Sequence, residues 1–451
     1  MQQQQESLWN ERITTVTQIY ELCQTILEAG NHAAVSGSAS SMNEILRDGV
    51  ASATKTAIRC WPDQNQILEQ AQKTFLKKLR TREPGKIKIC TEEWFVTYGN
   101  CVFTAFSQQL REEIQLTEEL SRRLFTLIDE VLPLDPAGKS RMMLETALRC
   151  GASEPRLAFD RILAAFSQTP DLAQDLAPDY RYQPGLHPQT ELTCCPVCSG
   201  TGVPFFTAYS CRIRSFESMF LPAKLWMKCP DCGNLYTRYF PSEFLKMGKT
   251  MVQVLPCPEI MNVRAPQQTT LHTWGEILNQ IRHYTRGTDL LEIGVGEGYL
   301  IAAAQEMGYS VTAVELLADC AQETANLLSC PVLCGDFLHL SEEQTYSVIT
   351  MGDVLEHLQD PVEGLKKAWR LLREDGVLWL STPNYESGYA KMAKVSDVMW
   401  CEPFHITYFS RAGLTALLEK IGFHIERYTI SNRYIDSMEL ILTKKNKDRT
   451  V

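Results

Sequence analysis

The sequence predicts an α/β fold whose C-terminal part is an open sheet of parallel strands, preceded by a small cysteine-held ribbon and an all-α N-terminal domain. Three observations carry this. Near residue 290 an apolar run breaks into glycines at alternate positions and a helical pattern follows. Two C-P-x-C pairs sit in the middle of the chain. Upstream of them, apolar residues recur at helical spacing. The three domains are expected at residues 1–182, 190–255 and 265–445.

In the first of these, Glu11 to Leu27, Gln66 to Leu79, Ser107 to Leu132 and Leu157 to Phe166 show apolar residues three or four apart. Turn signals lie between them at Arg82-Glu83-Pro84-Gly85 and Pro133-Leu134-Asp135-Pro136-Ala137-Gly138. The pattern reads as about seven or eight helices with no repeat of fixed period. Its expected role is self-association or substrate docking. The proline-rich stretch 177–188 reads as a linker.

The cysteines of the middle segment are spaced as metal ligands. Cys195-Pro196-Val197-Cys198 and Cys229-Pro230-Asp231-Cys232-Gly233 are separated by 30 residues. Each pair bends into a knuckle with both thiolates facing one ion, and two knuckles supply the four tetrahedral ligands that zinc prefers. Proline restricts φ after the first ligand, and Gly233 lets the chain turn beneath the metal. Buried thiol pairs or a redox pair would be the plainer account. Cys194 and Cys211 are spare. A closed four-cysteine site leaves no position for water, so the zinc is expected to be structural. The runs Phe205–Tyr209 and Leu225–Lys228 are the expected ribbon strands. From Cys195 to Lys249, Arg212, Arg214, Lys224, Lys228, Arg238, Lys246 and Lys249 outnumber Glu217, Asp231 and Glu243. This excess is either a solvated ribbon surface, the plainer account, or a face for an anionic partner.

In the third domain, Asp289-Leu290-Leu291-Glu292-Ile293 runs into Gly294-Val295-Gly296-Glu297-Gly298 and then a helical pattern from Tyr299 to Met307. This is a strand opening into a turn that caps a helix, where backbone N–H groups meet a nucleotide-containing ligand. The next apolar run ends in Glu315, which lies 21 residues beyond Gly294. That is the place of a ribose-binding carboxylate in nucleotide-binding α/β domains. A third run ends in Gly335-Asp336-Phe337 and a fourth in Gly352-Asp353. Open α/β sheets bind ligands at these carboxyl ends. Each acid would otherwise be read as a helix N-cap.

These residues resemble the class I S-adenosylmethionine-dependent methyltransferases. The glycine turn has the form E-I-G-x-G-x-G, and Asp353-Val354-Leu355-Glu356-His357-Leu358-Gln359-Asp360-Pro361 is similar to the LEH-x-x-D-P signature of one large branch. Ser381-Thr382-Pro383-Asn384, Pro403-Phe404-His405-Ile406-Thr407-Tyr408-Phe409-Ser410 and Leu417-Leu418-Glu419-Lys420-Ile421-Gly422-Phe423 match that branch as well. The resemblance covers roughly Thr270 to Lys444 and implies a Rossmann-like, seven-stranded methyltransferase domain that binds S-adenosylmethionine. Glu292, Gly294, Gly296 and Gly298 are expected to hold the amino-acid part of the cofactor, and Glu315 the two ribose hydroxyls. Asp336 would take the adenine amino group with Phe337 against the ring, and Asp353 would border the methyl donor. Zinc knuckles ahead of such a domain look like a recurrent bacterial architecture, found mostly in sugar or secondary-metabolite modification and in a few relatives that modify ribosomal RNA.

Methyl transfer needs an oriented acceptor and a base, and histidine is the side chain best tuned for that near neutral pH. Of eight histidines, His357 follows the fourth strand and His405 lies in the loop after the fifth. His357 would alternatively cap a helix or brace the loop. Trp400, Phe404, Tyr408 and Phe409 are expected to form an apolar wall around His405. His32, His187, His272, His283, His339 and His424 read as structural. No N/D-P-P-Y/F tetrapeptide is present, because Val354-Leu355 follow Asp353. The expected reaction is therefore methylation of an oxygen or carbon of a small-molecule or sugar-like acceptor. The alternative is a methyltransferase or binding protein that engages RNA or a protein through the ribbon and the helical domain.

Composition bounds the rest. At 451 residues the chain accommodates two or three domains, and 44% hydrophobic and 22% charged residues are ordinary for a soluble protein. Met1 to Glu6 contain no basic segment ahead of an apolar core, so no secretory signal is expected. No apolar run reaches the ~20 residues that span a bilayer, so no membrane partner is expected. A net charge of -10 disfavours wholesale coating of nucleic acid. Sixteen cysteines without a targeting segment read as reduced thiols and metal ligands, with the cytoplasm as the expected compartment.

Overall fold

The computed structural model describes residues 39–78, 118–131, 136–183, 188–212, 220–242, 270–393, 397–433 and 436–445, with isolated positions at 13, 14, 17, 21, 28, 93, 94 and 185. Most of the predicted helix Glu11–Leu27, the first part of Ser107–Leu132, the turn at Arg82–Gly85, His32 and His187 lie outside the described residues. So do Arg214, Glu217, Glu243, Lys246 and Lys249 of the middle segment. The chain divides into two compact units, Met1–Leu172 and Ala173–Val451.

The described part of the first unit is helical: α1 (Ala39–Cys60), α2 (Asn65–Lys78), α3 (Glu118–Thr126), α4 (Pro136–Cys150) and α5 (Pro155–Gln168). Two of these differ from the sequence-based expectation. Helix α1 was not expected, because its buried stripe of Leu46, Val50, Ala53, Thr54 and Ala57 is made largely of small residues with little apolar contrast. Thr54 fits there because its hydroxyl donates to the Val50 carbonyl at 2.8 Å. Of the expected turn Pro133–Gly138, residues 133–135 lie outside the described residues, and Pro136 to Gly138 instead begin α4, with Pro136 as its first residue. Proline is tolerated at that position because the first-turn N–H groups have no intrahelical partner. Helices α4 and α5 pack together and bury Met142, Met143, Ala147, Phe159, Ile162 and Phe166.

The second unit contains a seven-stranded sheet in the order β12-β13-β10-β9-β6-β7-β8. Its strands are β6 (Asp289–Ile293), β7 (Ser310–Glu315), β8 (Val332–Cys334), β9 (Tyr346–Gly352), β10 (Leu372–Pro383), β12 (Phe423–Ile430) and β13 (Ser437–Lys444). Strands β8, β7, β6, β9 and β10 are parallel, and β13 runs antiparallel between β10 and β12. Alternate residues of each strand feed two cores, as the pleat requires. Leu290, Val348, Val377 and Trp379 enter one core with α6 (Thr270–Ile281) and α7 (Tyr299–Glu306). Leu291, Ile349, Leu378 and Leu380 enter the other with α9 (Pro361–Leu371) and α11 (Arg411–Ile421). Helix α8 (Ala318–Leu328) joins β7 to β8, and α10 (Gly388–Ala393) follows β10.

The cysteine ribbon is not a separate body. Strands β2 (Val203–Tyr209), β3 (Ala223–Lys228) and β4 (Leu235–Thr237) form a sheet whose fourth strand, β11 (Thr407–Tyr408), comes from the connection between β10 and α11. The short strands β1 (Gln189–Glu191) and β5 (Tyr239–Pro241) pair beside it. Part of the expected linker is docked as well, with Tyr180 buried and its hydroxyl donating to the Phe220 carbonyl at 3.0 Å. Among the described residues, no helix is long and apolar enough to cross a membrane.

Candidate functional site

Strand β6 delivers a glycine turn to the carboxyl edge of the sheet. Gly294, Gly296 and Gly298 have φ of +78°, +50° and +78°, in the left-handed region that glycine enters without strain. A Cβ on Gly294 would lie 2.8 Å from the Val354 side chain, whereas one on Gly296 would meet nothing within 4 Å. The first glycine therefore lets the loop after β9 pack against the turn, and the second leaves its outer side open. Glu315, at the tip of β7, accepts from the Val295 N–H at 3.0 Å and the Leu317 N–H at 2.9 Å. One amide reaches each oxygen, so the carboxylate is held in place and keeps lone pairs for a ligand diol. Glu292 is 5% exposed; the Thr350 hydroxyl donates to it at 2.6 Å, and burial pushes its pKa up to about 8.

The residues of three other expected contacts also have partners within the protein. Asp336 caps the turn at Phe337–His339 by accepting from the Leu338 N–H at 2.9 Å. Phe337, expected beside the adenine, is 5% exposed and belongs to the core cluster with Leu291, Ile293 and Val314. Asp353, expected at the methyl donor, is committed to the protein. It pairs with Arg433 at 2.9 Å and accepts from the Ser381 hydroxyl at 3.0 Å, with its own φ at +55°. Arg433 in turn lies over the Trp274 and Trp379 rings. The cation that pairs with Asp353 is delivered from the chain between β12 and β13. No local sequence signal pairs the two residues.

The two histidines converge. Their ring centroids are 4.8 Å apart with the rings edge to face, although the residues are 48 positions apart in sequence. His357 sits on the short turn after β9, and its Nδ1–H donates to the Phe404 carbonyl at 3.1 Å, which leaves Nε2 as the acceptor nitrogen. Burial lowers its pKa. His405 is 4% exposed. Glu356, to which no role was assigned from the sequence, completes the cluster, and the ligand atoms of Glu356, His357 and His405 lie within 4.8 Å of one another. The Thr382 hydroxyl donates to one Glu356 oxygen at 2.9 Å, while the other oxygen is buried without a hydrogen-bond partner. Burial and the neighbouring Asp353 push the Glu356 carboxyl well above the usual carboxylate range. Such a group can share a proton or an ion. Its only sequence signal was its place in the LEH motif. Among the described residues, His272, His283, His339 and His424 stand outside this cluster.

The expected aromatic wall is divided: Phe404 meets the Phe220 ring at 5.0 Å, Phe409 joins the sheet core with Leu291 and Leu414, and Trp400 and Tyr408 face the ribbon. Trp400 and Tyr408 pack with Phe206, Trp226 and Tyr385 in one buried cluster, and Tyr408 donates to Asp436 at 2.7 Å. The ribbon holds the same loop by polar contacts: the Trp226 indole N–H donates to the Trp400 carbonyl at 2.9 Å and the Thr237 N–H to the Ile406 carbonyl at 2.9 Å. The Tyr385 hydroxyl donates to the Gly233 carbonyl at 2.6 Å.

The ribbon's four cysteines meet as the spacing predicts. Cys195 and Cys232 sulfurs are 3.6 Å apart, Cys198 and Cys229 sulfurs 3.3 Å, and all four lie within 4.8 Å. Sulfurs around a tetrahedral zinc with ~2.3 Å bonds stand about 3.8 Å apart, so the set fits that ion. The knuckles are closed by hydrogen bonds from Ser199 N–H to the Cys195 carbonyl and Gly233 N–H to the Cys229 carbonyl. Ser199 and Gly233 both have positive φ, at +63° and +73°. Cys194 is exposed and Cys211 buried, and neither belongs to the cluster.

The family model described as a methyltransferase domain matches residues 267–428. Over this stretch the chain is similar to that domain family. The segment is 29% identical over 152 residues to a probable S-adenosylmethionine-dependent methyltransferase of Mycolicibacterium smegmatis, covering 33% of this chain and 57% of that one. It is 31% identical over 109 residues to a ubiquinone biosynthesis O-methyltransferase of Glaesserella parasuis, covering 22% and 46%. The chain thus spans about half the length of these relatives. A crystal structure of an S-adenosylmethionine-dependent methyltransferase from Clostridium acetobutylicum aligns with a TM-score of 0.32 at 14% identity, over 39% of this chain and 92% of that one.

Proposed function

We propose that the protein transfers the methyl group of S-adenosylmethionine to an oxygen or carbon of a small-molecule or sugar-like acceptor, with the His357–His405 pair taking the acceptor's proton. The observation that carries this reading is the convergence of Glu356, His357 and His405 on the loops at the carboxyl edge of the sheet, one of which packs on the open glycine turn. The cofactor supplies a methyl carbon made electrophilic by its sulfonium. The chain's own groups do the rest. Gly294, Gly296 and Gly298 let the backbone approach the ligand, and Glu315 offers acceptors to a diol. Buried Glu292 suits an ammonium that would draw off its proton. His357 presents a neutral Nε2 whose tautomer is set by the Phe404 carbonyl, and the His405 ring packs against it. The O-methyltransferase names among the relatives agree with an oxygen acceptor.

We further propose one zinc per chain at Cys195, Cys198, Cys229 and Cys232, closed to water and so structural. The test of the reaction is calorimetry with S-adenosylhomocysteine together with turnover on a panel of sugar nucleotides and phenols. His405→Ala should lower turnover ~100-fold or more with cofactor affinity nearly unchanged. If affinity and turnover fell together, His405 would be structural and the base would be His357.

A further inference from the structure

We propose that Lys224, on ribbon strand β3, is a positioning residue for the histidine pair, so that the ribbon sets the geometry of the acceptor side of the site. Lys224 is only 6% exposed, and burying an ammonium on a strand is unfavourable unless its three N–H groups are satisfied. Here they are satisfied from one place. The Nζ donates to the Glu402 carbonyl at 2.6 Å, to the Pro403 carbonyl at 3.4 Å and to the His405 carbonyl. Three carbonyls within four residues thus turn inward on a single amino group, which also lies 4.7 Å from the Trp226 ring.

The segment needs such a holder. Pro403 has no N–H for a ladder, and regular pairing with the ribbon resumes only at Thr407–Tyr408. Trp226 fixes the chain before this gap at Trp400, and Thr237 fixes it after the gap at Ile406. Between Glu402 and His405, the carbonyl that Lys224 does not take is that of Phe404, which accepts from Nδ1 of His357. Lys224 therefore fixes the residues on both sides of the group that selects the His357 tautomer, and it fixes His405 directly.

This inference rests on the methyl-transfer reading of the two histidines, but its test reads the imidazoles themselves. Full-length, zinc-loaded protein labelled with ¹⁵N-histidine would be compared with Lys224→Met and Lys224→Arg by long-range ¹H–¹⁵N spectra, metal analysis and S-adenosylhomocysteine calorimetry. The native protein should show His357 as a single Nδ1–H tautomer. In Lys224→Met that signal should become a tautomer mixture and the His405 resonances should move, while zinc content and cofactor affinity stay within about twofold. Lys224→Arg, which keeps the donors, should recover the native tautomer. An unchanged His357 tautomer in Lys224→Met would overturn the proposal, as would joint loss of zinc and cofactor affinity in a folded variant. Should Lys224→Met not fold, Lys224→Gln would be read by the same criteria. Failure of the native protein to bind S-adenosylhomocysteine would instead sink the methyltransferase reading and leave the positioning result standing.

Discussion

Glu315 is the residue whose chemistry is most exposed to test. Its carboxylate bridges the turn after β6 and the turn after β7, so it braces the two loops. Glu315→Ala should weaken S-adenosylhomocysteine binding by about 1–3 kcal/mol, the range for losing charge-assisted hydrogen bonds, as read by calorimetry. Unchanged affinity would remove the ribose assignment. Glu292 gives a second, pH-dependent signature. Its folded pKa is raised to about 8 from 4.5 by burial, so between those values the folded chain holds a proton that the unfolded chain has released. Its contribution to stability is therefore present at low pH and is lost as pH rises through that window. Glu292→Gln should stabilise the cofactor-free protein by roughly 1–3 kcal/mol at pH 7 in urea unfolding, with the gain vanishing near pH 4.5. A gain that grew toward acid pH would have the wrong sign for a buried, protonated carboxyl.

At the level of elements, the ribbon and the connection from β10 to α11 behave as one structure. Strand β11 is only two residues long, and a pair so short gains its order from what surrounds it. What surrounds it is the cysteine-held ribbon. Helix α11 adds to this, since a Cβ on its Gly413 would lie 2.5 Å from the Cys232 carbonyl. Removing the metal should thus be felt at the histidines' loop before it is felt in the parallel sheet. Cys229→Ser is expected to lose the zinc and to speed amide exchange in residues 400–410 by about tenfold or more, with β6 and β7 amides unaffected. Retained stoichiometric zinc in that variant would require Cys194 or Cys211 to act as ligand.

For the whole molecule, the division into Met1–Leu172 and Ala173–Val451 places the glycine turn, the histidine cluster and the ribbon in one unit. Residues 173–451 alone should accordingly bind S-adenosylhomocysteine within about threefold of the full chain, because a unit with its own core folds and binds largely by itself. A much larger loss would assign the helical unit a part in the cofactor site. The net charge of -10 argues on the same scale against a phosphate-dominated partner. In a gel-shift titration the full chain should give no RNA complex at physiological salt. A shift that weakens steeply with added salt would favour the macromolecular substrate.

Local chemistry made the parallel sheet, the glycine turn, the acids at the strand tips and the two cysteine knuckles legible from the chain alone. Each depends on residues a few positions apart: a positive φ that glycine tolerates, a carboxylate ending a strand, two thiols across one tight turn. Helix α1 was not legible because small buried residues give a weak periodic signal, and the start of α4 was masked by prolines that elsewhere mark turns. What only the tertiary structure decided is which distant groups share a space. Arg433 claims Asp353, the core claims Phe337, Glu356 joins His357 and His405, and Lys224 reaches the carbonyls around His405 from about 180 residues away. The physical reason is that these contacts satisfy buried charges and polar groups, and such demands are met by whatever donor the fold brings near, which no spacing along the chain encodes.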